Sequence, residues 1–322
     1  MRSGAVQPEA ASRLLELGSA PTSTGATQQT LTRAGTASRS PTARMVRSMM
    51  RDRTAILGCI LFAGILAVAL LAPAIAPHDP TQIQMKVRFQ SPSFTYLLGT
   101  DELGRDLLSR LMYGARVSMT VGAVSVAVAA TVGTVLGLVA GYVGGWVDTV
   151  IMRIMDGLLA FPAIILALAI ITALGTSLTN VMIAIGIVSI PSFARITRGS
   201  VLSLREREFV EAARACGATL GYLIFRTVLP NTISPILVQL TVGFADAILT
   251  EAALSFLGLG VPPPTPSWGS MLETGRRYLT QTAWYSTTAG AAVFLAVLSL
   301  NLIGDGLRDA LDPRLQHRRV RA

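Results

Sequence analysis

The stretch EFVEAARACGATLGYLIFRTVLPNTISPI, Glu208 to Ile236, decides how the rest of the chain is read. It opens with charges, is broken at Gly217, closes on Leu229-Pro230, and lies between long apolar runs. Within Leu204–Cys216, Phe209, Ala213 and Cys216 recur at i, i+4 and i+7, which predicts a helix with one weakly apolar face. Arg207, Glu211 and Arg214 share another face. Gly217 is well placed to end this helix with positive φ. A second helix is expected from about Thr219, with Leu220, Leu223, Ile224 and Val228 along one stripe, until Pro230 ends or kinks it. The small residues Ala212, Ala213 and Ala215 let another surface approach closely. Two readings follow: an amphipathic loop resting on lipid headgroups, or a knob that docks on a partner.

The flanks point to a membrane. Of 322 residues, 51% are hydrophobic and 14% charged, with mean hydropathy +0.56; a soluble domain carries about 25% charge. Each uncharged run of about 20 residues is a candidate span. Thr54–Pro77 and Val117–Val147 supply the first two. Gly157–Ala194 is too long for one helix, and the break GTSLTN (Gly175–Asn180) divides it into a third and a fourth. Ile233–Leu257 and Trp284–Gly304 complete six, so the expected fold is an all-α integral membrane protein with both termini on one side. Residues 1–45, rich in Ser, Thr, Ala, Gly and Arg, read as a disordered basic tail. After it come a first membrane helix within 46–77, an outer loop over 78–116, a membrane core over 117–304 containing the loop 204–230, and a tail over 305–322.

Arginine sets the expected orientation. The amino-terminal tail through Arg53 holds eight arginines against three acids, Arg195–Pro230 six against three, and the tail from Asp305 five against three. In a six-span chain all three fall on one side, which places that side and both termini in the cytoplasm. The same distribution argues against nucleic acid, because the charges sit at the ends of apolar runs. Lys86 is the only lysine, and it lies in QMKVRFQ rather than GxxxxGK[ST]. The chain carries no Walker A site for ATP phosphates. The isolated Cys59, Cys216, His78 and His317 form no CxxC or HExxH pattern, so no metal is expected.

In this setting EAARACG followed by Leu229-Pro230 resembles the EAA loop of ABC importer permeases, EAA-x3-G-x9-I-x-LP. Glu211, Ala212, Ala213, Gly217, Leu229 and Pro230 match, and Thr227 takes the isoleucine position. LLGTDELGRDLLSRLMYGARVSM (Leu97–Met119), DGLLAFPAIILAL, EAALSFLGLGVPPPTPSWG and GDGLRDALDPR resemble the C-type permeases of dipeptide, oligopeptide and nickel importers. The likeness covers roughly residues 46–315. It implies six membrane helices in the plasma membrane and a coupling helix in the EAA loop that inserts into a groove on a separate ATPase. It further implies ATP and magnesium bound by that ATPase, a B-type permease partner, an external solute-binding protein, and alternating access. Peptide is the implied cargo, with nickel or another small solute as the alternative. A self-contained secondary transporter fits less well, since the chain shows no internal repeat.

Charges in or near spans are candidate pathway groups. Asp156, beside Arg153, reads as a solvated or locally paired residue near a span end. Asp246 lies deeper in the fifth span and is the candidate for lining the pathway. Glu251 lies off that helix face and is expected to brace the loop beginning at Gly258. VPPPTPSWGSML reads as a stiff extended loop, and Asp101–Arg116 as an amphipathic surface helix whose acids pair locally.

Overall fold

The computed structural model describes residues 49–50 and 52–311; the tail expected over 1–45 and the chain beyond Leu311 lie outside them. Among the described residues the secondary structure is helical apart from one isolated bridge between Thr100 and Asp106. In chain order the helices are α1 (Arg53–Ile75), α2 (Leu107–Val143), α3 (Gly145–Leu159), α4 (Ala163–Leu174), α5 (Leu178–Leu204), α6 (Glu208–Ala215), α7 (Leu220–Tyr222), α8 (Leu229–Phe256), α9 (Trp268–Arg277) and α10 (Ala283–Leu311). A widened turn over Leu223–Val228 joins α7 to α8, so Leu220–Phe256 runs as one span. Among the described residues five spans are long and apolar enough to cross a membrane: α1, α2, α5, the α7–α8 run and α10; the bent pair α3–α4 makes a sixth if counted as one.

The caps explain several boundaries. Asp52 caps α1 by accepting from the Thr54 amide at 2.9 Å, and Asp106 caps α2 through the Ser109 amide. The GTSLTN break falls where expected. Ser177 caps α5 by accepting from the Asn180 amide, and the Asn180 side chain donates to the carbonyls of Leu174 and Gly175, which end α4. A polar side chain thus satisfies carbonyls that lipid cannot.

The third span departs from expectation. One span was expected from Gly157 to the break, but the chain bends by 91° between α3 and α4. Pro162 lacks an amide hydrogen and disfavours helix in Phe161 before it, so the chain breaks there. The twelve residues of α4 cover only about 18 Å of a hydrocarbon layer about 30 Å thick. The second span also begins earlier than expected: Leu107–Arg116, expected as a surface helix, is the first part of α2. Pro191, by contrast, stays inside a continuous α5.

The core forms where α2 crosses α5. Gly133, Gly137 and Gly141 recur every fourth residue on the α2 face toward α5. Cβ atoms there would lie 2.6 Å from Phe193 Cβ, 2.5 Å from the Ala194 carbonyl oxygen and 2.8 Å from Val201 Cβ. Lipid tails are as apolar as side chains, so close packing through small residues drives such contacts. Val121, Val126, Ala129, Ile171, Ile185, Phe193 and Leu254 continue this core into α4 and α8. A second core, including Ala69, Met119, Ile248, Trp268 and Leu300, joins α1, α2, α8, α9 and α10.

Candidate functional site: the EAA loop and its seat

The loop begins where α5 ends. Arg205 caps α5, and Arg205–Arg207 turn the chain into α6. Acids lie in the first turn of α6 and Arg214 in the last, each favourable to the helix dipole. After Cys216 the chain takes φ +81° at Gly217, and the Ala218 amide donates back to the Ala213 carbonyl at 3.1 Å. This closing bond requires the left-handed residue that glycine supplies without strain. Thr219 then caps α7.

The apolar face differs from the expected one. Phe209 and Cys216 are exposed, and Val210 is the only buried residue of α6. Val210 enters a cluster with Leu138 of α2, Val201 of α5, and Ile224 and Val228 of the widened turn, flanked by Tyr142, Leu204 and Leu229. One valine therefore ties the loop to three spans. Two polar contacts reinforce it: Arg214 Nη2 donates to Tyr142 Oη at 3.3 Å, and Arg205 Nη1 donates to the Gly141 carbonyl at 3.2 Å. Outward, Glu211, Ala212 and Gly217 are exposed and Ala213 is half-buried. A concavity of about 480 Å³ opens beside them, lined by Ala213, Cys216, Gly217, Ala218, Thr219 and Tyr222.

Pro230 does not end the second helix, because the helix runs on into α8. The widened turn immediately precedes it, and the Leu229 amide donates to Ile224, five residues back. Proline would clash with the carbonyl four residues before it, and the wider turn moves that carbonyl aside. Thr227, at the family's isoleucine position, sits inside this turn, where its carbonyl accepts from Asn231 Nδ2 at 2.7 Å.

The model of the family described as "binding-protein-dependent transport system inner membrane component" matches residues 133–317 and so contains this loop and its seat. The chain belongs to this family of ABC importer permeases. The N-terminal membrane domain of oligopeptide transport permease C matches residues 40–92. The permease is 46% identical over 277 residues to the dipeptide transport system permease protein DppC of Alkalihalophilus pseudofirmus, covering 86% of this chain and 91% of that relative. It is 45% identical over 284 residues to the di/tripeptide transport system permease protein DppC of Pseudomonas aeruginosa, covering 86% and 94%. With the dipeptide transport system permease protein DppC of Escherichia coli K12 it shares 46% identity over 273 residues, covering 83% and 91%. The permease is a multi-pass membrane component of a system that depends on a binding protein and an ATPase.

The other candidate residues of the permease lie apart from the loop. Asp246 is exposed on α8, sixteen residues beyond Pro230, or roughly 24 Å along the helix. Glu251 is fully buried and accepts from Ser118 Oγ of α2 at 3.0 Å and Ser255 Oγ at 2.8 Å. Ser118 Oγ in turn accepts from the Trp268 amide, so Glu251 braces the far end of the Gly258 loop, as expected. Asp156 pairs with Arg195 of α5 at 2.6 Å rather than with Arg153.

At the end of the bundle away from the EAA loop, the acids of the Asp101 segment pair locally. Asp101 is buried and accepts from Arg105 Nε at 2.6 Å, while Arg105 Nη2 donates to Glu102 at 2.7 Å. Burial, and then the neighbouring Asp101 charge, push the Glu102 carboxyl above the usual carboxylate range. Sequence reasoning missed Val210, Tyr142 and Arg205, because contacts between distant segments have no local period. The available signal was the apolar Val210 itself, one residue before Glu211 and off the face that Phe209, Ala213 and Cys216 share.

Proposed function

We propose that the chain is the C-type permease of an ATP-driven importer of dipeptides or oligopeptides. It pairs with a B-type permease in the plasma membrane, with both termini in the cytoplasm, and receives cargo from an external solute-binding protein. Its EAA loop docks on a separate ATPase subunit, which binds ATP and magnesium. Closure of the ATPase pair pushes the loop and switches the pathway between outward- and inward-open states. Peptide is favoured over nickel by the names of relatives that align over more than nine-tenths of their length.

The seat of the loop carries this reading. Val210 is buried against α2, α5 and the α7–α8 run, while Glu211, Ala212 and Gly217 face outward. A displaced loop would therefore move three spans together, because packed cores transmit strain. Within the pathway Asp246 is the proposed polar lining residue; unchanged uptake and substrate preference in Asp246→Asn would remove it from that role.

The coupling role is tested with Gly217→Ile, since β-branched residues resist the left-handed conformation there. The expected result is an assembled complex that hydrolyses ATP but takes up peptide at least ten-fold more slowly. Normal uptake per ATP would count against coupling through this loop.

A further inference from the structure

Helix α3 is attached to the bundle unlike its neighbours. Met155 is its only buried residue, and Trp146, Val150, Ile154 and Leu159 are exposed. Apolar burial therefore gives it little hold. Ion pairs hold it instead. Asp148 receives two parallel hydrogen bonds from Arg198 of α5, Nε at 2.5 Å and Nη2 at 2.6 Å. Asp156 receives one from Arg195 Nη2 at 2.6 Å. The fork-to-fork geometry of the first pair fixes orientation as well as distance.

Helical geometry breaks at both ends of α3, and these breaks are its candidate swivels. At its start Gly144 and Gly145 have φ +71° and +58°, and a Cβ on Gly145 would meet nothing within 4 Å. At its end the chain turns 91° before α4. The first swivel also touches the coupling loop. Arg205, which leads into α6, donates to the Gly141 carbonyl, and its Nη1 would lie 3.4 Å from a Cβ on Gly144. A shift of the loop thus reaches the base of α3 directly, whereas α3 itself is restrained by pairs partly open to solvent. The forked pair sets the orientation of α3 while it is closed, and because it is partly open to solvent, water can take over its hydrogen bonds when it opens.

We infer that α3 is a moving strut of the transport cycle, and that Asp148 and Arg198 are positioning residues that latch it to α5 in the state described here. The inference rests on the coupling reading of the EAA loop and deepens it by naming the element that the loop releases. Unlatching lets α3 turn about its two swivels and carries α4, on the other side of the bend, away from its seat on α5. Two arrangements of one packed element, biased by a remote contact, are what such coupling requires.

The test follows the buried side of α3. In the full transporter complex without native cysteines, Met155→Cys is labelled with a thiol reagent. ATP with vanadate is expected to raise the labelling rate at least five-fold over the nucleotide-free complex. Adding Asp148→Asn is expected to raise it to that level without nucleotide and to lower peptide uptake per ATP. The exchanged pair Asp148→Arg with Arg198→Asp is expected to restore the low rate. Labelling that ignores nucleotide overturns the strut, and labelling unchanged by Asp148→Asn overturns the latch. The two readings fail separately: Gly217→Ile reports on the loop, and Met155→Cys with an unaltered loop reports on α3.

Discussion

Replacing Val210 with alanine removes the one buried side chain by which α6 holds the bundle. Valine exceeds alanine by two carbon groups, each contributing about 0.8 kcal/mol when buried. The site is fully buried at 0% exposure, so a cavity term adds to the transfer loss, for a total of about 2 kcal/mol. At 1.4 kcal/mol per factor of ten, local opening of α6 becomes roughly 30-fold more frequent. Hydrogen exchange of the Glu208–Thr219 amides in the detergent-solubilised complex reads this directly. Exchange should accelerate by that factor in α6 while α2 and α5 keep their protection. Phe209→Ala, on the exposed face of the same helix, should stay near the parent rate. If α6 exchanges no faster in Val210→Ala, the loop is held by Arg205 and Arg214 instead, and the packed seat described above is wrong.

Gly137→Ala should destabilise the α2–α5 crossing by about 1–3 kcal/mol, since overpacking forces backbone shifts. A thermal melt of the purified permease checks this, with Gly199→Ala as the control because a Cβ there meets nothing within 4 Å. Burial raises the Glu102 carboxyl above its usual value, so the folded segment binds a proton more tightly than the unfolded chain. Its stability should therefore fall as pH rises from the unfolded glutamate value of about 4.3 through the raised folded value, and level off beyond it. Glu102→Gln should abolish that slope in the exchange of the Asp101–Leu107 amides.

The spans were legible because lipid imposes a length and an apolar composition that one segment shows alone. The Gly175–Asn180 break was legible for a related reason, since Ser177 and Asn180 satisfy backbone groups within their own turn. Gly217 could likewise be placed from its local role. The 91° bend between α3 and α4 was not read, although Pro162 was visible: a proline inside an apolar run can also be tolerated, as Pro191 is in α5. The buried face of α6 was misassigned because periodicity favoured Phe209, Ala213 and Cys216, whereas tertiary packing selected Val210. Asp156 was read as solvated or locally paired; it is exposed, but its partner Arg195 comes from another helix, 39 positions away. Pairing across the bundle depends on how α3 lies against α5, and no window of sequence contains that angle.

The account turns on whether the outward face of α6 meets the ATPase. The most direct measurement is cross-linking in the assembled, transporting complex with Cys59 and Cys216 replaced. A short thiol-to-amine reagent is placed at Ala212→Cys, and Leu295→Cys, at an exposed position of α10, serves as the control. The account predicts a product joining Ala212→Cys to the ATPase subunit, with none from Leu295→Cys. A complex that takes up peptide normally yet gives no ATPase product from Ala212→Cys would contradict it.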